Sequence, residues 1–178
     1  MMKRTVLVAY ESRHGSTEGI ADRIAAKLRS RDIETTVKPV DSIRDADGYD
    51  GYVIGSAVYA MHWLGPVKAF IHRNRALLRR HPVWLFSSGP LSLDPAEQDQ
   101  AEAHDVAELE REVDARGHRV FAGAWHRGTP PVGVLERMMR VVPAAREALP
   151  EGDFRDWAAI DDFATAVAGE LELALQTE

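Results

Sequence analysis

The stretch Ser12-Arg13-His14-Gly15-Ser16-Thr17 stands directly after the apolar run TVLVAY (5–10) and directly before a helical pattern. Hydroxyls around a single Gly at the start of a helix are parts that hold a phosphate. The Gly admits close backbone approach, the first helical N–H groups are unpaired, and the dipole end is positive. Ser12, Ser16 and Thr17 can donate hydrogen bonds, and His14 can add one. The same composition also suits a polar turn in which Ser16 or Thr17 caps the helix. The stretch is no Walker loop, because it has no Gly-Lys-Ser/Thr. It is no dinucleotide fingerprint either, since Gly15 and Gly19 are too widely spaced and no third Gly follows.

A second stretch, SAVYAMHWLG (56–65), tips the balance. It puts Tyr59, Met61 and Trp63 in a turn after a strand, where a solvated loop would be polar. Aromatic and thioether groups there suit a flat conjugated ring, the competing use being packing against the next helix. A phosphate cradle beside an aromatic platform, with no metal ligands, points to flavin mononucleotide (FMN). A third polar loop, SSGPLSLDP (87–95), follows another apolar run.

Other reactive side chains carry less. His62 lies in the second stretch and is a weak catalytic candidate; a lone loop His is more often simply solvated. His72, His104 and His118 have no carboxylate or His partner at metal spacing, so no metal is expected. Arg127, after the run RVFAGAW (119–125), is a second weak catalytic candidate, placed to meet an acidic substrate. The apolar run at 134–142, with Arg137 and Arg140, reads as cover for one sheet face, with peripheral membrane contact as the lesser use.

The elements that must position these residues are legible from periodicity. Strands are predicted at 4–10, 33–40, near 51–55, in PVWLFSSGP and at 119–125. Helices are predicted from Ser16, over GPVKAFIHRNRALL with Pro66 in its first turn, through Val106, Leu109 and Val113, and finally through Trp157, Ile160, Phe163, Val167 and Leu171 behind an Asp156 cap. Strands alternating with helices, the strands apolar throughout, predict a parallel sheet covered on both faces. In such a sheet ligands bind beyond the carboxyl ends of the strands, so the three loops share one edge.

The 178 residues read as one domain, 1–178, with no linker or repeat. The net charge of −6 offers nucleic acid no electrostatic footprint. Between Asp94 and Asp114 the chain is acidic, with Arg111 its one Lys or Arg, and this run reads as a solvated face. There is no Cys, no apolar run long enough to cross a bilayer and no signal-peptide pattern, so the expected compartment is cytoplasmic.

The spacing Tyr10-x-Ser12-x-x-Gly15-x-Thr17-x-x-x-Ala21-x-x-Ile24 resembles the flavodoxin signature, whose loop binds the FMN phosphate. Ala9 departs from it, where that family prefers a larger apolar residue. The resemblance covers essentially the whole chain. It implies a flavodoxin-like three-layer α/β sandwich with a five-stranded parallel sheet in the order 2-1-3-4-5. It assigns the phosphate to Ser12, Arg13, His14, Gly15, Ser16 and Thr17. It assigns the ribityl chain and ring to Ser56, Ala57, Val58, Tyr59, Met61 and Trp63, then Ser88, Gly89 and Leu91. VIGSAVYAMHW and PVKAFIHRN are more similar to the menaquinone-dependent protoporphyrinogen IX dehydrogenase branch than to the free electron carriers. The third loop has no aromatic, unlike the carriers. The resemblance implies an oxidoreductase taking a porphyrinogen and passing electrons to a quinone. The alternatives are an electron carrier between protein partners, which the acidic run favours, and an NAD(P)H-dependent quinone reductase.

Overall fold

The computed structural model describes residues 3–89, 104–126 and 151–174. Its elements are β1 (Thr5–Glu11), α1 (Ser16–Arg29), β2 (Glu34–Pro39), β3 (Gly51–Tyr59), β4 (His62–Trp63), α2 (Gly65–Leu78), β5 (Val83–Ser88), α3 (Val106–Val113), β6 (Gly117–Phe121), β7 (Ala124–Trp125), β8 (Gly152–Asp153) and α4 (Trp157–Ala174). Five long strands pair in the order β2-β1-β3-β5-β6, all parallel. This is the expected sheet order, with the two-residue β4 added as a hairpin on β3.

β1 is the central strand, with Val8 opposite both Val37 and Val53. Successive side chains on a strand point to opposite faces, so a strand covered on both sides must be apolar throughout. Val6, Val8 and Tyr10 pack with Ile20, Ile24 and Leu28 of α1 and with Ile160, Phe163 and Val167 of α4. Leu7 and Ala9 pack on the other face with Val67, Phe70 and Ile71 of α2 and Leu109 and Val113 of α3. Truncating the fully buried Phe70 to Ala would cost about 3–5 kcal/mol. Asp156 caps α4 as expected, its carboxylate accepting the N–H groups of Ala158 and Ala159 at 3.0 Å.

Two expected strands end elsewhere. β3 runs to Tyr59, because β4 folds back on it with Val58 opposite Trp63 and Tyr59 opposite His62. Ser56, Ala57, Val58 and Tyr59 therefore lie on a strand, and only Ala60 and Met61 form the turn. The strand expected at 119–125 breaks after Phe121. Ala124 and Trp125 leave the sheet to pair with Asp153 and Gly152, and the Ala124 N–H donates to Ser16 Oγ at 2.9 Å. The run 134–142, Leu91 and Arg127 lie outside the described residues.

Candidate functional site

The carboxyl ends of β1, β3, β5 and β6 meet at one edge of the sheet. The chain leaves β1 through residues 12–15 and enters α1 over Gly15, whose φ of 81° lies in the left-handed region. A Cβ there would meet nothing within 4 Å, so the backbone opens onto free space that a side chain would fill. Ser12 Oγ accepts the Gly15 N–H at 3.0 Å, which keeps its own hydroxyl hydrogen for another acceptor. Helical bonding begins with Gly19 N–H donating to the Gly15 carbonyl at 3.0 Å. The N–H groups of Ser16, Thr17 and Glu18 precede that ladder.

Thr17 is fully buried, and its Oγ1 has no hydrogen-bond partner. Burying a hydroxyl unsatisfied costs roughly 1–3 kcal/mol, so such a group at a helix N-terminus marks a missing acceptor. Ser16 is used differently. Its Oγ accepts from Ala124 and lies 3.3 Å from Ser88 Oγ, tying the loop to β7 and to the end of β5. Neither Ser16 nor Thr17 forms a side-chain cap on α1; Gly15 holds the cap position. Glu18 accepts from the Tyr10 hydroxyl at 2.9 Å, and burial, then this carboxylate, push Tyr10 up to about 12.

The second loop is a tight hairpin. Ala60 (φ 48°) and Met61 (φ 65°) are both left-handed, the geometry of a two-residue turn that usually takes Asn or Gly. Placing two side-chain-bearing residues there costs on the order of 1–2 kcal/mol each. Tyr59 stays half-buried at the turn, with the Arg13 guanidinium 4.0 Å from its ring centroid, so the first and second loops touch. Trp63, expected to be exposed, is 2% exposed and belongs to the core. Its indole N–H donates to Ser87 Oγ at 2.8 Å, and that oxygen lies 2.8 Å from His118 Nε2. Trp63 is thus the anchor of the hairpin rather than part of an exposed platform. Ser56 does related work, its Oγ accepting the Leu64 N–H at 3.0 Å.

Asp105, which precedes α3, pins the hairpin from outside. It accepts the Trp63 N–H at 3.2 Å and the Lys68 ammonium at 2.8 Å. Burial raises this carboxyl, but Lys68 and the backbone N–H bonds outweigh it and hold it below its usual range. His62 is exposed at the rim, with Nδ1 3.7 Å from Asp105 and its ring edge-on to His104. The sequence offered His72 no carboxylate, yet its Nδ1 sits 2.6 Å from Glu112, because α2 and α3 lie side by side. Among the described residues no group of three or more potential ligands forms a metal site.

In the third loop Ser88 is buried at the strand end, and Gly89 (φ 116°) donates its N–H to Phe121 O at 2.9 Å. The structure therefore brings the phosphate-loop residues, Ser56 to Trp63, Ser88 and Gly89 to one edge. Sequence reasoning placed Ser87 in the third loop without giving it a role, and it missed Asp105, His118, Ala124 and Arg155, which reach this edge across long sequence separations. The open Gly15 backbone, the early N–H groups and the orphaned Thr17 hydroxyl fit a phosphate monoester. The half-buried Tyr59 beside them fits a flat ring.

Comparison with known proteins agrees with this geometry. A family described as Flavodoxin domain matches residues 7–142. A flavodoxin from the domain Archaea superposes with a TM-score of 0.59 at 15% identity, covering 94% of this chain and 99% of that one. Oxidised Flavodoxin 2 from Bacillus cereus gives 0.55 at 21% identity, covering 93% and 99%. The rubredoxin oxygen:oxidoreductase of Desulfovibrio gigas gives 0.63 at 14% identity, covering 97% of this chain and 38% of that protein.

Proposed function

The chain belongs to the flavodoxin domain family, whose members are FMN-binding redox proteins, and on that premise we propose that it is an FMN-dependent oxidoreductase of the protoporphyrinogen dehydrogenase type, delivering electrons to a quinone. FMN is the cofactor, and when bound it supplies the electron and hydride chemistry. The protein's own part is to hold the phosphate and present the ring. Ser12, Thr17 and the N–H groups of Ser16 and Thr17 are the phosphate donors, and Gly15 lets the phosphate reach them. Tyr59 flanks the ring, while Ser56, Ser87 and Trp63 fix the hairpin that carries it.

The observation that supports the enzyme reading is this hairpin. The segment VYAMHW, by which the sequence resembles the dehydrogenase branch, holds a strained two-residue turn braced by the Trp63 indole on Ser87 and by the Trp63 N–H on Asp105. A rigid, half-buried wall beside the ring suits a small-molecule substrate better than a protein surface. The test is anaerobic flavin reduction by protoporphyrinogen, with turnover in the presence of a quinone and a parallel trial with NADPH. Reduction by protoporphyrinogen and reoxidation by quinone are expected. Reduction by NADPH alone would replace this reading with a nicotinamide-dependent quinone reductase.

A second reading, an electron carrier between proteins, is favoured by α3. This helix carries Glu108, Glu110 and Glu112 and adjoins the hairpin, where His104 N–H donates to Met61 O at 2.9 Å. Glu108 is the exposed carboxylate of the three, and an acidic charge near the ring suits a basic redox partner.

A further inference from the structure

The first turn of α1 faces a cavity of about 130 Å³, well above the ~10–15 Å³ that one water requires. Its walls are His14, Gly15 and Ser16 from the phosphate loop, then Ala124, His126 and Arg155 from much later in the chain. The later wall is built by the β7–β8 ribbon, which Ser16 Oγ ties to α1 through the Ala124 N–H.

Arg155 is held firmly. Its Nε and Nη2 donate to the two oxygens of Asp153, and its guanidinium lies 4.5 Å from the Trp157 ring centroid. The side chain is only 17% exposed. The fork to Asp153 leaves Nη1 on the side of Gly19, packed so closely on the first turn of α1 that a Cβ there would collide with it. A cation at the positive end of a helix is repelled by about 0.3–1 kcal/mol, and ordering a long side chain costs more. Asp153 offsets the charge but does not explain why the guanidinium is brought over the helix N-terminus. An anion in the cavity does, since it would meet the helix dipole and the guanidinium at once. The unpartnered Thr17 hydroxyl lies on the same turn, next in the chain to Ser16 of the cavity wall.

We propose that Arg155 is a phosphate-recognition residue, which with His126 and the first turn of α1 closes the cavity around the phosphate monoester of FMN and selects the phosphorylated flavin over riboflavin. Gly19 is then the gap that admits the guanidinium. This rests on the flavin reading above and adds a charged clamp from the C-terminal segment to the neutral donors of the loop.

The test is titration of the apo-protein with FMN and with riboflavin, followed by flavin fluorescence, for the wild type, Arg155→Gln, Arg155→Lys and Gly19→Ala. Arg155→Gln should weaken FMN binding on the order of ten- to a hundredfold and leave riboflavin unchanged, as loss of a hydrogen bond between charged groups implies. Arg155→Lys, which keeps the charge and loses the fork, should lie between. Gly19→Ala should weaken FMN alone although Ala is the better helix former, so a melting temperature at or above wild type separates the effect from misfolding. Flavin binding in which Arg155→Gln keeps the wild-type ratio of FMN to riboflavin affinity would overturn the clamp while sparing the flavin reading. A wild type that binds neither flavin would overturn both.

Discussion

Replacing Thr17 with Val should move apo-protein stability and FMN affinity in opposite directions. In the ligand-free chain the hydroxyl is fully buried without a partner. Val keeps the shape of the side chain and removes the unsatisfied group, whose burial costs roughly 1–3 kcal/mol. A gain of about 1 kcal/mol raises the melting temperature of a chain this size by about 2–4 °C. In the complex the same hydroxyl donates to a charged phosphate, a bond worth about 1.5–3 kcal/mol. Its loss should weaken FMN roughly ten- to 150-fold at 1.4 kcal/mol per factor of ten. Riboflavin, without the phosphate, should bind the variant as it binds the wild type. Thr17→Ser should give the mirror image, with FMN affinity kept and about 1 kcal/mol of stability lost with the buried methyl. Calorimetric melting of the apo-protein and fluorescence titration with both flavins measure the two effects. A variant Thr17→Val that melts lower than wild type, or that binds FMN equally well, would refute the reasoning.

His118 is held down at about 4 by burial, so it stays neutral in the fold while the unfolded chain takes up a proton near 6.5. Stability from this group is full above about pH 6.5 and should fall by about 1.4 kcal/mol per pH unit between there and about pH 4; urea melts across that range should lose this slope in His118→Gln. Asp105→Asn should loosen the hairpin by about 1.5–3 kcal/mol through its lost bond to Lys68, read as faster amide exchange at Trp63 and Leu64 with the core unchanged. Asp156→Ala, which removes both N–H acceptors at the start of α4, should cost about 1 kcal/mol and lower the melting temperature by about 2–4 °C. If the protein is a carrier, stopped-flow reduction by a basic partner should slow steeply with salt and with neutralisation of Asp94, Glu97 and Asp99; if it is a small-molecule dehydrogenase, turnover should ignore both while Arg127→Ala raises KM for a carboxylate-bearing substrate.

A parallel sheet covered on both faces was legible because the bodies of β1, β3 and β5 are mostly apolar, as strands buried on both sides must be, whereas its strand order followed only from the resemblance to flavodoxins. The phosphate loop was legible because its parts are contiguous: Ser12, Gly15 and Thr17 sit on one turn, and their chemistry follows from local backbone geometry. The hairpin was read only in part. Tyr59 and Trp63 are both aromatic and four apart, and nothing local says that one stays at the turn while the other swings under the sheet to Ser87. That outcome depends on Ser87 and His118, contributed by two other strands. Likewise RVFAGAW has the composition of one strand, but its second half is claimed by Ser16 and by residues 152–153. Arg155 was invisible for the same reason, since its significance lies in Gly19, far earlier in the chain.

The central claim is that the edge formed by residues 12–17 holds the phosphate of a mononucleotide. Titrating the apo-protein with FMN, riboflavin and FAD in one experiment tests it most directly, with bound flavin identified after release. One FMN per chain is expected, bound more tightly than riboflavin, with FAD excluded because no second Gly-rich loop holds an adenylate. Equal affinity for FMN and riboflavin, or released flavin that proves to be FAD, would contradict it.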